Sequence, residues 1–210
     1  MWEIFIGSFL LSIVHAIIPN HWIPLIAISK TEKWSTRETL SATLITGTAH
    51  IFSTILIGIL VGFIGHKLSS SFELITDFVA PSILIILGAV FIFLDIRHSH
   101  AGDHDHFKLE EKKVKNKSKW AILVSLSIAM FFSPCLELDA YYFHAGTFGW
   151  PGIFLVSTTY LIVTVSVMMM LVYAGMKSIA RFRAHFLEEH HKLITGIILI
   201  VLGVLAYFLH

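Results

Sequence analysis

Three short strings in this 210-residue chain carry side chains suited to holding a metal ion. The first is His15-Ala16-Ile17-Ile18-Pro19-Asn20-His21. The second gathers Thr46, Thr48, His50, Ser53 and Thr54. The third runs Ser133-Pro134-Cys135-Leu136-Glu137-Leu138-Asp139, with His144 just beyond it. Imidazole nitrogen suits Ni, Co, Zn, Cu and Fe(II), and carboxylate oxygen compensates a dication in a low-dielectric setting. Such a mixture is too nitrogen-rich for Mg or Ca and too thiol-poor for Cu(I) or mercury. His15, His21, His50, Glu137, Asp139 and His144 are therefore the candidate ligands. A proton relay for an organic substrate would use the same residue types. Cys135, the single cysteine, reads first as a small packing residue, with a soft ligand as the alternative.

All three strings lie inside apolar runs. The chain is 56% hydrophobic and 14% charged, against about 25% charged in ordinary soluble domains. Runs of roughly 17–26 apolar residues suffice to cross a hydrocarbon core about 30 Å thick. The expected fold is all-α and polytopic, with six spans at 4–28, 40–65, 79–96, 119–143, 151–175 and 193–209. This composition excludes an ordinary soluble enzyme and, with one cysteine, a disulfide scaffold. A net charge of +1 argues against a nucleic-acid partner. No cleavable leader is expected, since Glu3 replaces the usual basic start. Ionisable groups at mid-membrane cost about 2.5–3.5 kcal/mol each on insertion scales, so their presence there calls for a function.

Basic residues orient the spans. Lys30, Lys33 and Arg37 fall in the first loop. Arg97 and six lysines from Lys108 to Lys119 fall in the third, and Lys177, Arg181, Arg183 and Lys192 in the fifth. Only Lys67 lies on the opposite side. Odd loops are thus expected inside a bacterial inner membrane and both termini outside. Trp2, Trp34, Trp120 and Trp150 stand at span ends, where interfacial aromatics belong.

The halves resemble one another. Ser82–Gly88 (SILIILG) parallels Gly196–Gly203 (GIILIVLG), and an offset of 115 residues that superposes Gly88 on Gly203 also carries Pro19 onto Pro134. Three spans per half make the second half enter the membrane inverted, the plan of many secondary transporters. The expected units are 1–97, a cytoplasmic His-rich loop at 98–118, and 119–210. Pro19, Pro24 and Pro134 mark the first and fourth spans as interrupted helices, which are tolerated where backbone lines a cavity.

On continuous helices His15 and His21 lie about 120° apart, a separation that unwinding at Pro19 would relieve. His15 and His50 fall at similar depth, His21 about 8 Å further inward, and Glu137 and Asp139 about 9–12 Å outward. The expectation is a path of ligands rather than one compact site. The third loop offers weaker ligands in His98, His100, His104 and His106, interleaved with Asp103 and Asp105. Such a string suits loose metal collection. His185, Glu188, Glu189, His190 and His191 add to the same side.

At His15–His21 the sequence resembles the nickel/cobalt transporter superfamily, with its efflux-type and urease-associated members, within the broader lysine-exporter-like fold. That group carries an intramembrane His-Ala motif ending in Asp-His, often a preceding proline, and in several members a His-rich loop. The Ser133-Pro134-Cys135 turn is loosely similar to the Pro-Cys turn of related repeats. The resemblance places the motif histidines at His15 and His21. Its acids fall on Asn20 and Ile18, so both carboxylates are missing here.

The expected function is secondary transport of a divalent transition metal (Ni, Co, Zn, Mn or Fe), with export preferred because the inner face is His-rich. The loop would recruit metal, His21, His15 and His50 would hold it, and Glu137 and Asp139 would receive it outside. Proton exchange at His or Glu137 would drive the cycle, since no nucleotide-binding loop appears. The expected partners are the metal and the lipid bilayer, with a homo-oligomer possible and no organic cofactor. The rivals are an intramembrane metal-dependent hydrolase, a membrane accessory protein for metallocentre assembly, and a thiol–disulfide electron carrier, which would need a second cysteine.

Overall fold

The computed structural model describes residues 1–70, 74–101, 118–133, 135–177 and 184–208. Its described elements are helical. They are α1 (Trp2–Ile17), α2 (Pro19–Thr31), α3 (Thr36–Ser69), a π-helical turn (Ile75–Val79), α4 (Ala80–Ala101), α5 (Lys119–Phe131), α6 (Leu136–Thr147), α7 (Trp150–Met176) and α8 (Ala184–Phe208). Four stretches are long and apolar enough to cross a membrane: Trp2–Thr31, Thr36–Ser69, Asp77–Ile96 and Trp150–Met176. Lys119–Phe131 and Leu193–Phe208 are shorter apolar helices.

The burial pattern is compatible with a membrane protein. Along α3, Thr39, Thr43, Thr46, His50 and Thr54 are buried, at the spacing of one helical face. Leu44, Phe52, Leu56 and Leu60 on the same helix are exposed. Polar side chains thus face the interior while large apolar ones face outward, which suits lipid rather than water. The buried hydroxyls close onto their own helix: Thr43 Oγ1 donates to the Thr39 carbonyl at 2.8 Å, and Thr46 Oγ1 to Ala42 at 2.9 Å.

Glycines set how closely the helices approach. A Cβ on Gly146 of α6 would strike the Gly62 carbonyl of α3. One on Gly88 of α4 would lie 2.6 Å from the Gly196 carbonyl of α8, and one on Gly196 the same distance from the Gly88 carbonyl. These are small-residue crossings, where bare backbones replace side chains at the contact.

Two of the expected spans are broken, each for a local reason. Residues before proline are pushed out of the helical region, and Ile18 adopts φ −55°, ψ 122° ahead of Pro19, which opens α2 at its first position. The break frees the Ile17 carbonyl, and the Trp22 indole N–H takes it up at 3.1 Å. In the second half α5 ends at Phe131 and α6 starts at Leu136, with Cys135 extended at φ −108°, ψ 106°. Pro134 itself lies outside the described residues. α3, by contrast, runs 34 residues unbroken from a capping box in which the Ser35 hydroxyl accepts from the Glu38 amide and Glu38 accepts from the Ser35 amide. It forms the rigid wall against which both breaks face.

Candidate metal centre

The two breaks and the middle of α3 meet. His15 ends α1, His21 opens α2, His50 projects from α3, and Cys135 sits at the N-cap of α6. One donor atom from each lies within 4.8 Å of all the others. His15 Nε2 is 3.2 Å from His50 Nε2, and Cys135 Sγ is 3.5 Å and 3.4 Å from these two nitrogens. The ring of His21 stands 4.6 Å from that of His15 and 4.7 Å from that of His50, centroid to centroid. All four residues are buried or nearly so, and the Tyr160 ring walls one side at 5.6 Å from His15.

Outer contacts fix which way the rings point. His50 Nδ1 lies 3.0 Å from the Met130 carbonyl. A carbonyl only accepts, so Nδ1 carries the proton and Nε2 turns its lone pair toward the cluster. That carbonyl is near the end of α5, where it accepts the Ser133 N–H at 3.3 Å in place of the usual amide four residues on and keeps a second lone pair for His50. His15 Nδ1 lies 3.4 Å from Glu137 Oε1, which likewise directs Nε2 inward. Hydrogen bonding of the outward nitrogen to a carboxylate or a carbonyl is the recurring outer shell of metal-bound histidines. With both rings neutral, two lone pairs face each other at 3.2 Å, an arrangement that a metal cation or a shared proton resolves.

His15, His21 and His50 are thus brought together. The expected ligand path is corrected: the four donors form one compact cluster, and Glu137 stands beside it rather than about 9–12 Å away. Depth counted along straight helices fails because Ile18 and residues 132–135 turn the chain at the site. Glu137 contacts His15 instead of joining the donor set. Asp139 is buried at 7% exposure, outside the cluster, and its Oδ1 has no hydrogen-bond partner among the described residues. His144 is buried against Tyr141 and Phe148, with ring centroids 6.0 and 5.6 Å away, and is also outside the cluster. The side chains of His98 and His100, at the end of α4, and all of His104 and His106 lie outside the described residues.

Cys135 was set apart from the candidate ligands in the sequence reading, and the structure brings its sulfur among them. The 115-residue offset pairs it with Asn20, the neighbour of His21 directly after the first break, so its position was itself a signal. Pro134, which has no N–H, announces that the Met130 carbonyl four residues earlier loses its helical donor, but the sequence does not name the side chain that takes it up. No family model, no curated protein and no solved structure matches this chain.

Proposed function

We propose that this chain is a secondary transporter that carries a divalent transition-metal cation across a bacterial plasma membrane. Export is the favoured direction, and the His15–His21–His50–Cys135 cluster is the central substrate site. The observation that carries the proposal is the convergence of four metal-ligating atoms where two interrupted helices face an unbroken one. Substrate sites of secondary transporters are built at such interruptions, midway through the bilayer. Four protein donors also leave no open position of the kind a metal hydrolase keeps for water, which sets transport above the hydrolase reading.

Six spans in two inverted repeats complete the proposal, each broken pair counting as one span. The 115-residue offset takes α1 to α5, α2 to α6, α3 to α7 and α4 to α8, and contacts recur with partners exchanged. A Cβ on Gly88 would meet Ile200 at 2.8 Å, and one on Gly203 would meet Ile85 at 2.7 Å, the pair related by that offset. α1 packs on α7 as α5 packs on α3. Lys119 Nζ pairs with Glu38 at 2.6 Å, which supports the first and third loops sharing a side. The Tyr141 hydroxyl donates to the Glu3 carbonyl at 3.2 Å, a contact that supports the N-terminus and the far end of α6 sharing the opposite side. Kinship with the nickel/cobalt transporter superfamily remains part of this proposal, on the strength of His15, His21 and the proline between them.

Metal flux in proteoliposomes tests it, with Ni, Co, Zn, Mn and Fe(II) supplied in turn. Saturable flux that His15→Ala abolishes and Glu137→Gln slows is the expected result. Absence of flux for every metal, in vesicles where the chain is folded and inserted, would overturn the transport reading.

A further inference from the structure

We infer that the cluster is a four-coordinate site of three imidazole nitrogens and one sulfur for a zinc-class dication, with Cys135 binding as thiolate, and that it discriminates against Ni(II) and Mn(II). The inference rests on the metal reading of the cluster proposed above and narrows the substrate.

Spacing is the first ground. With Zn–N near 2.0–2.1 Å and Zn–S near 2.3 Å, tetrahedral edges come to about 3.3 Å between nitrogens and about 3.6 Å between nitrogen and sulfur. Bonds of the same lengths at 90°, as in square-planar or octahedral sites, give about 2.9 and 3.1 Å. The observed separations are 3.2 Å for the nitrogen pair and 3.4 and 3.5 Å to sulfur. All three lie nearer the tetrahedral values. His21, with its donor atom within 4.8 Å of the others, would have to draw in to a tetrahedral edge to supply the fourth corner.

Donor chemistry is the second ground. Three imidazoles and a thiolate are borderline-soft donors, which suit Zn(II) and its geometric equivalent Co(II), whereas Mn(II) prefers oxygen ligands and Ni(II) a tetragonal arrangement. Intrinsic affinities rank Ni(II) above Co(II), so geometry must reverse that order here. Two imidazoles and a cysteine also suit Cu(II) when the fourth ligand is weak and distant, but here it is a third imidazole.

Charge is the third ground. On coordination the Cys135 S–H bond breaks, the sulfur lone pair forms the S–metal bond, and the proton leaves to solvent. Thiolate and the Glu137 carboxylate together then offset a dication, while Cu(I) would leave an uncompensated negative charge in the interior.

Anaerobic Co(II) titration of the purified full chain in lipid nanodiscs tests this. The expected result is intense visible absorption of four-coordinate Co(II) together with a near-ultraviolet sulfur-to-cobalt charge-transfer band. The chain has one cysteine, so that band has a single source. One equivalent of Zn(II) should bleach both features, whereas a tenfold excess of Ni(II) should leave more than half. Cys135→Ser should lose the near-ultraviolet band and at least tenfold in Zn(II) affinity. If that variant does not fold, the wild-type spectrum still decides. A joint His98→Ala, His100→Ala, His104→Ala and His106→Ala variant should keep the spectrum, which separates the cluster from loop binding. Weak six-coordinate bands, no charge-transfer band, or bleaching by Ni(II) as readily as by Zn(II) would overturn the inference. Flux with a six-coordinate spectrum would overturn it and leave transport standing. The four-coordinate spectrum without flux would support it and overturn transport.

Discussion

Glu137→Gln isolates what the carboxylate beside the cluster contributes. The substitution keeps the side chain's shape and an oxygen able to accept from His15 Nδ1, and removes only the charge. Glu137 Oε1 stands 3.4 Å from Nδ1, so a metal on the opposite ring nitrogen would lie roughly 6–7 Å from the carboxylate. At an effective dielectric near 20 a dication at that distance gains about 5 kcal/mol. That figure is a ceiling. A carboxylate only 16% exposed is costly to keep charged without the metal, and part of the attraction offsets that cost. Removing outer-shell partners of metal-bound histidines loses about 10–100-fold in affinity, about 1.4–2.7 kcal/mol, and the same loss is expected here. Competition titration of Zn(II) against Co(II) in nanodiscs measures it. Wild-type affinity would show that Glu137 does not orient His15. A loss above about ten-thousandfold would make Glu137 a direct ligand, against the geometry.

Three further outcomes follow from the packing. Gly146→Ala places a Cβ on the Gly62 carbonyl and should cost about 1–3 kcal/mol by overpacking. Gly47→Ala, whose nearest neighbour is the flexible Met168 side chain at 3.4 Å, should be close to neutral, and thermal unfolding in detergent compares the two. Trp22→Phe leaves the Ile17 carbonyl without its indole donor and should cost about 1–3 kcal/mol; an unchanged unfolding midpoint would deny that the indole secures the first break. For orientation, Ser70→Cys should react with a membrane-impermeant maleimide in intact cells and Ser118→Cys only after lysis, with the buried Cys135 silent as background. The reverse pattern would invert the topology.

Much of this was open to reading in the sequence, and the failures have one physical source. Long apolar helices, the break ahead of Pro19 and the choice of His15, His21 and His50 as candidate ligands all follow from apolar run length, from the constraint proline puts on its neighbour, and from the cost of ionisable groups in lipid. The expected separation of ligands by depth assumed straight rods, and the chain turns at Ile18 and again at 132–135. The contrast between Glu137 and Asp139 was nonetheless derivable. Two residues along a helix is about 200°, so if one carboxylate faces His15 the other must face away. Cys135 was judged by residue type when its place beside a break was the stronger clue. The tautomer of His50 depends on a backbone carbonyl four residues before Pro134, which only the packing of α5 against α3 brings within reach.

The division of chemistry between the halves bears on how such a site works. Residues before the His-rich loop supply the three imidazoles, and residues after it supply the sulfur, the carboxylate and the carbonyl that sets the His50 tautomer. Neither half holds a complete donor set, so the four-ligand arrangement exists only while the two are packed together. Withdrawal of α6 from both α1 and α3 would lengthen the contacts of Cys135 to His15 and His50 together, since both run from the same sulfur. Three imidazoles without the anion hold a dication less well, because the charge that the thiolate offset is then left to Glu137 alone. On the transport reading proposed above, such a withdrawal would convert a tight site into a weak one without unfolding either half. A carrier needs that property to release what it binds, and the same displacement carries Glu137 and the buried Asp139, which share α6 with the sulfur's cap position.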